Sequence, residues 1–203
     1  MTMNPLALEL TEAPLRHADC CLSLSSTLLD HLTSIFSSDK LPASAHPRIV
    51  LSIGSGTGLL EALLLAHVQS KEQDPNQKTL LIEGVEVHQL GSGAPANRYL
   101  PEQAINTVRG TWELSSRLQD GRVSALMFGY PRQPSLVARY LQAVVEMNLS
   151  VSVVVWLGPQ ADWEEFAPCF QSGKHVDGSF RLEVKTGVEV GLGEYEMMAV
   201  LRR

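Results

Sequence analysis

The segment "IVLSIGSGTGLLEALL", residues 49–64, constrains the fold more than any other part of the chain. A short apolar run leads into three glycines at alternate positions, and a second apolar run follows. Glycine lets the backbone turn sharply and lets a ligand approach closely, while the start of the next helix offers unpaired N–H groups. The segment therefore predicts a buried strand, a turn suited to a nucleotide-type ligand and a helix. The alternative is a turn that only connects strand and helix.

The spacing of the glycines narrows the choice of ligand. Gly54, Gly56 and Gly58 form G-x-G-x-G, whereas the third glycine of the dinucleotide fingerprint G-x-G-x-x-G would fall at Leu59. NAD is therefore the weaker interpretation. The chain also has no G-x-x-x-x-G-K-[ST] motif, which excludes a P-loop phosphate site.

Apolar strands and helices alternate through most of the remaining sequence. Strands are predicted at 79–87, around Ile105, at 123–128 and at 150–156, and helices at 59–68 and 135–147. Such alternation predicts a parallel α/β sheet that is covered by helices on both faces. Near the end, residues 180–190 and 194–203 flank a Gly-Leu-Gly turn and predict an antiparallel hairpin at the sheet edge.

The first part of the chain has a different pattern. Apolar residues recur mostly every three or four positions over 11–36, which predicts a helix with one buried face that packs on the domain or covers a site. Residues 37–47 are rich in turn formers. We therefore expect an N-terminal helical extension over 1–47 and the domain proper over 48–203.

Composition limits the class of protein and its partners. The 203 residues are 44% hydrophobic, which suits one sizeable domain, and the formal net charge of −6 disfavours nucleic acid as a partner. Cys20 and Cys21, in the predicted helix, and Cys169 offer neither a disulfide framework nor a zinc spacing. With no pattern of a signal peptide or membrane span, we expect a cytoplasmic or also nuclear protein that does not bind membranes.

Glu86, at the end of the strand that follows the glycine segment, is the second candidate site residue. An acid at this place can accept both ribose hydroxyls of an adenosine ligand. The alternative is a solvated strand end.

Gly54, Gly56, Gly58 and Glu86 together resemble the first motif and the ribose-binding acid of the class I S-adenosylmethionine-dependent methyltransferases. The resemblance runs from about Arg48 to the end of the chain. It implies a Rossmann-like, mostly parallel seven-stranded sheet with a C-terminal antiparallel hairpin, and S-adenosylmethionine as cofactor. Segments such as "SIGSGTGLLEALL", "GVEV", "YPRQPSLVARYL" and "EYEMMAV" further resemble a group of small fungal methyltransferase-like proteins of uncertain function.

Two cofactor positions depart from this family. Ser52 stands where the family usually has an acid that helps to hold the methionine end of the cofactor. Ser55, in the glycine loop, is a further candidate to bind the cofactor. Thr111 and Trp112 stand where an acid often binds the adenine amino group, and Glu113 is displaced. Trp112 could stack on adenine or belong to the core.

The segment "FGYPRQP", residues 128–134, stands where amino-group methyltransferases carry an Asn/Asp-Pro-Pro-Tyr turn. Tyr130 is therefore a candidate to orient the acceptor, and the alternative is a packed tyrosine in a proline-stiffened turn. His88, His17 and Glu113 are candidate bases, although a histidine near a ligand is more often a packing residue. No cluster of acids and histidines predicts a metal site.

These features favour S-adenosylmethionine-dependent methyl transfer to an unidentified small-molecule or protein acceptor. A non-catalytic binding or regulatory protein of the same fold is the alternative, and no residue points to a different reaction of that fold. Only the N-terminal helix and residues 91–101 remain to form an acceptor pocket.

Overall fold

The computed structural model describes residues 8–37, 46–71, 80–88, 97–171 and 180–203. Its strands are β1 (Leu15–His17), β2 (Cys20–Leu24), β3 (Arg48–Ile53), β4 (Leu80–Val87), β5 (Ile105–Val108), β6 (Val123–Gly129), β7 (Val153–Pro159), β8 (Arg181–Thr186) and β9 (Glu196–Arg202). Its helices are α1 (Ser26–Phe36), α2 (Leu59–Lys71), α3 (Pro134–Glu146) and α4 (Trp163–Gln171).

Seven strands form one sheet in the order β5-β4-β3-β6-β7-β9-β8. The first five are parallel, and β9 runs antiparallel to both β7 and β8. The strand order changes direction beside β3, and in such sheets ligands bind at the carboxyl ends of the strands near that point. The predicted mostly parallel sheet and its C-terminal hairpin are confirmed.

Helices cover both faces of the sheet because its strands are apolar on both sides. Alternate residues of β3 face opposite cores, so that Val50 packs with α1 and α2 whereas Ile49 and Leu51 pack on the side of α3 and α4. In β7, residues 153–158 are all buried, as expected for a strand covered on both faces. The predicted helices on both faces are confirmed.

The single helix predicted over 11–36 is wrong in its first half. β1 and β2 form an antiparallel hairpin, which also places Cys20 and Cys21 in a strand rather than a helix. The helix begins only at Ser26, after Ser25 adopts an extended backbone and its hydroxyl accepts a 3.0 Å hydrogen bond from the N–H of Leu28. The same hydroxyl donates to the carbonyl of Gly191 at 2.6 Å, which fixes the start of α1 against the C-terminal hairpin.

The hairpin and α1 pack on the sheet rather than standing apart from it. Leu22, Leu24 and Leu28 are almost completely buried in the same core as α2. This covering explains why α2 is apolar nearly all round. The domain division between residues 47 and 48 stays a prediction. In the described ranges, no helix has the length and apolar character needed to cross a membrane.

Candidate functional site

A cleft of about 620 Å³ lies at the carboxyl ends of β3, β4 and β6. Its walls are the glycine loop after β3, the tip of the β1–β2 hairpin, the first turn of α2 and the residues after β6. The volume falls within the range of about 300–1,000 Å³ that is usual for small-molecule sites. The cleft is therefore large enough for a nucleotide-sized ligand.

The three glycines of the loop do not have equivalent positions. All three have left-handed backbone conformations, with φ of +75° at Gly54, +56° at Gly56 and +80° at Gly58. Gly54 and Gly56 line the cleft, and a Cβ on either would point into open space. A Cβ on Gly58 would instead collide with the side chain of Asn97. The loop thus presents two glycines to a ligand and uses the third for close packing.

Asn97 supports the loop from behind, and the sequence offered no signal for it. Its side chain is 3% exposed, and Nδ2 donates a 3.1 Å hydrogen bond to the hydroxyl of Ser55, which lines the cleft. Its Oδ1 accepts from the N–H of Leu100. The N–H groups of Gly54 and Ser55 donate to the carbonyl of Val85 in β4. These bonds fix the loop against β4.

Glu86 lies at the end of β4 and faces the same cleft. Its Oε2 accepts a 2.7 Å hydrogen bond from the N–H of Gly56, and Oε1 accepts one of 2.8 Å from the N–H of Val87. Each carboxylate oxygen can accept a further hydrogen bond. The carboxylate is thus oriented beside the glycine loop and can still bind hydroxyl groups.

Glu61 is an acid of the site that the sequence analysis missed. It lies in the first turn of α2, lines the cleft and is only 3% exposed. Oε1 accepts a 2.6 Å hydrogen bond from the hydroxyl of Ser52, whereas Oε2 has no hydrogen-bond partner among the described residues. The only signal in the sequence was an acid inside the apolar run "LLEALLL".

The environment of Glu61 favours its protonated form. Burial raises the pKa of Glu61 to about 7, against the opposing effect of the hydrogen bond from Ser52 and with a smaller contribution from the charge of Glu86. Ser52 itself is fully buried and does not line the cleft. In this structure Ser52 therefore binds Glu61 and does not face the cleft directly.

Tyr130 lines the cleft at the end of β6 with a backbone that is unusual for a bulky residue. Its φ is +55°, and its N–H donates a 2.7 Å hydrogen bond to the carbonyl of Leu157. Left-handed conformations cost about 1–3 kcal/mol for such residues and cluster at functional sites. Burial raises the pKa of Tyr130, so its hydroxyl remains protonated and able to donate at neutral pH.

The tip of the β1–β2 hairpin is fastened beside the glycine loop by Asp19. The hydroxyl of Thr57 donates a 2.6 Å hydrogen bond to the carbonyl of Asp19. The carboxylate of Asp19 accepts a 2.5 Å hydrogen bond from the hydroxyl of Tyr99 and forms an ion pair with Arg98. The hydrogen bond from Tyr99, followed by the charge of Arg98, lowers the pKa of Asp19. The hairpin therefore forms one wall of the cleft.

The three candidate bases do not line the cleft. His88 is exposed, and its backbone N–H donates a 2.8 Å hydrogen bond to the carbonyl of Val108. His17 accepts a 3.1 Å hydrogen bond at Nδ1 from the N–H of Asp19. Glu113 is held by Arg109, whose N–H and Nε donate to it at 2.6 and 3.0 Å. The structure thus does not support His88 as a catalytic residue.

Thr111 and Trp112 separate at the loop after β5. Thr111 lines the cleft, whereas the side chain of Trp112 is 64% exposed and does not. The alternative that Trp112 belongs to the core is therefore wrong. Its ring packs over Gly110, where a Cβ would collide with it. Of the residues 91–101 that were expected near an acceptor, 91–96 lie outside the described residues.

The fold is similar to that of several solved structures. A human methyltransferase 10 domain containing protein superposes with a TM-score of 0.53 at 12% identity, over 88% of this chain and 83% of that one. The methyltransferase domain of bacterial CtHen1-CN superposes with a TM-score of 0.52 at 15% identity, over 86% and 97%. The chain has the class I methyltransferase fold.

A third structure with this fold comes from Listeria monocytogenes and is proposed to be a class I S-adenosylmethionine-dependent methyltransferase. Its TM-score is 0.51 at 15% identity, over 87% of this chain and 58% of that one. No protein-family model matches the sequence, and no curated protein does either. The structural comparisons thus confirm the methyltransferase fold that the resemblance implied.

Proposed function

We propose that the protein is an S-adenosylmethionine-dependent methyltransferase. The observation that carries the proposal is the meeting of the open glycine loop and the carboxylate of Glu86 in one cleft, with Gly56 and Glu86 in direct contact. A loop without side chains and an acid at the next strand end are the groups that an adenosine ligand needs at this place in an open α/β sheet.

The residues present fit this cofactor. A side chain at Gly54 or Gly56 would project into the cleft, so these positions leave room for a ligand. Glu86 would accept the ribose hydroxyls, and Ser55 and Thr111 line the same space. Oε2 of Glu61 offers an acceptor that has no partner in the part of the chain that the structure describes. When bound, S-adenosylmethionine supplies an electrophilic methyl group on a sulfonium sulfur.

The contribution of the chain to methyl transfer would be positioning. An in-line displacement depends mainly on the orientation of the nucleophile, and proton transfer matters chiefly for an oxygen nucleophile. Tyr130, held in its unusual backbone conformation after β6, would orient the acceptor through its protonated hydroxyl. Pro131 and Arg132 follow it along the same wall.

The acceptor is proposed to be a small molecule or a protein. Among the described residues, the wall of the cleft carries the acids Asp19, Glu61 and Glu86 and one basic residue, Arg132. The formal net charge of the chain is −6. This balance disfavours a polyanion, so nucleic acid is not the proposed acceptor. We place the activity in the cytoplasm, with the nucleus as a second location.

A binding protein without transfer activity is the second candidate. It is favoured by the turn Gly129-Tyr130-Pro131, which does not reproduce the Asn/Asp-Pro-Pro-Tyr order of amino-group methyltransferases, and by the serine at position 52. Such a protein would bind the same cofactor and transfer nothing.

A label-transfer assay separates the two candidates. The protein is incubated with methyl-labelled S-adenosylmethionine and an extract of its source, fractionated into small molecules and proteins. If the proposal is right, label appears in one of the two fractions. The Gly56→Arg variant, whose arginine side chain would project into the cleft, should transfer no label. Gly56→Ala carries the same backbone strain without the bulk, and Gly121→Arg adds the same side chain at a position where a Cβ also meets open space. Cofactor binding without any transfer would favour the binding protein.

A further inference from the structure

Glu61 lines the cleft, and one oxygen of its carboxylate has no hydrogen-bond partner among the described residues. The hydroxyl of Ser52, itself fully buried, donates to Oε1 and fixes the orientation of the group. Oε2 is buried and has no partner among the described residues, although the residue lines the cleft. An unpaired buried acceptor destabilises the folded protein, and more so when it is charged. A buried group of this kind at the wall of a ligand site needs an explanation.

The neighbours of Glu61 favour a cation as its partner. Glu86, from β4, adds a second carboxylate whose charge acts on Glu61. Cys20, from β2, interacts with Glu61 as well, but burial raises the pKa of this thiol to about 12 and it remains neutral. A positively charged group that entered between the two acids would relieve both the unpaired oxygen and the repulsion.

We propose that Glu61 binds the ammonium group at the amino-acid end of the ligand, in the place of an acid on the preceding strand. The assignment rests on the proposed function, because it takes the ligand to be an adenosyl amino acid. Ser52 acts as a positioning residue, since its hydroxyl donates to Oε1 and so fixes the orientation of the carboxylate.

The assignment couples ligand binding to the release of a proton. Burial raises the pKa of Glu61 to about 7, so about one-tenth of the molecules carry the carboxylate at pH 6 and about nine-tenths at pH 8. Only the carboxylate attracts the ammonium group strongly. Affinity for a ligand with this group should therefore rise about tenfold from pH 6 to pH 8.

Two ligands and two protein variants test the assignment by calorimetry at both pH values. S-adenosylhomocysteine carries the ammonium group without the sulfonium charge, and 5′-methylthioadenosine lacks the whole amino-acid end. Wild type should bind S-adenosylhomocysteine about tenfold more tightly at pH 8 and show no such change with 5′-methylthioadenosine. Glu61→Gln should bind S-adenosylhomocysteine more than tenfold more weakly at pH 8, without the pH dependence. Ser52→Ala should retain the pH dependence with weaker binding.

Each result decides a different question. If Glu61→Gln binds S-adenosylhomocysteine as wild type does, or keeps the pH dependence, the assignment of Glu61 is wrong. The same pH dependence with 5′-methylthioadenosine would also overturn it. If wild type binds neither ligand at either pH, the proposed function itself is wrong, and the assignment fails with it.

Discussion

Oε2 of Glu86 accepts a 2.7 Å hydrogen bond from the backbone N–H of Gly56. The bond joins the two sequence features that first suggested an adenosine ligand, and it exists because β3 and β4 are parallel neighbours whose carboxyl ends meet at one edge. The acid is therefore oriented by the loop beside which the ligand would lie. Such preorientation lowers the entropy lost when the hydroxyl groups of a ligand bind.

Replacing Glu86 should weaken cofactor binding. Glu86→Ala removes the acceptor for the ribose hydroxyls, and we expect a loss of about 1–3 kcal/mol in the binding of S-adenosylhomocysteine, measured by calorimetry. Glu86→Gln keeps one acceptor oxygen and should lose less. Thermal unfolding of each variant controls for damage to the loop. Wild-type affinity in the alanine variant would remove Glu86 from the ribose site.

Glu61→Gln should change stability in the opposite direction to binding. Because burial raises the pKa of Glu61 to about 7 from 4.5, the folded chain holds a proton that the unfolded chain releases between these values. The stabilisation is complete below about pH 4.5 and is lost as the pH rises toward 7. At pH 8 the glutamine variant should therefore be more stable than wild type by up to about 3 kcal/mol.

Urea denaturation at pH 5 and pH 8 measures this difference. Glu164→Gln makes the same chemical change at an exposed position on α4 and should leave the difference near zero at both pH values. A glutamine variant of Glu61 that is less stable than wild type at pH 8 would show that the carboxylate has a stabilising partner.

Asp19→Ala should loosen the wall of the cleft that the hairpin forms. The change removes the hydrogen bond from Tyr99 and the ion pair with Arg98, while the Thr57 bond to the backbone carbonyl remains. We expect faster amide hydrogen exchange over β1 and β2, with little change in the sheet. Because the pKa of Asp19 is lowered, wild type should show the same loosening only on acidification below pH 3.8. Unchanged exchange in the variant would show that the Thr57 bond and the core contacts suffice.

Tyr130→Phe should reduce methyl transfer and leave cofactor affinity nearly unchanged. The hydroxyl is assigned to the acceptor, so its loss should lower the rate of label transfer without altering the binding of S-adenosylhomocysteine. Phenylalanine keeps the size of the ring and its packing against the core around α2. Equal transfer by the two proteins would make Tyr130 a packing residue of the turn.

The sheet and the helices that follow it could be predicted because their patterns are local. Apolar runs such as those of β3 and β7 are buried on both faces, and the spacing of α3 matches one buried face. The N-terminal hairpin could not be found in this way. Its strand β2 and the start of α1 are fixed by residues far along the chain: Glu196 accepts from the N–H of Ser23 in β2, and the carbonyl of Gly191 accepts from the hydroxyl of Ser25. Local spacing does not encode such contacts.

The site was predictable only in part, for a similar reason. Glycine spacing and a strand-end acid are sequence signals, and the structure brings Gly54, Gly56 and Glu86 together. Side-chain direction is not such a signal, and the exposed His88, a candidate base from the sequence, is not among the residues that line the cleft. Glu61 was missed because an acid in an apolar run has meaning only when its burial and its pairing with Ser52 are known.

The binding of S-adenosylhomocysteine to the wild-type protein tests the central claim most directly. Calorimetric titration at pH 8 should show one site, and Gly56→Arg should abolish it while Gly121→Arg does not. A parallel titration with NADH should show no binding, because the third glycine of the dinucleotide motif is replaced by Leu59. Binding of NADH together with no response to S-adenosylhomocysteine would contradict the account.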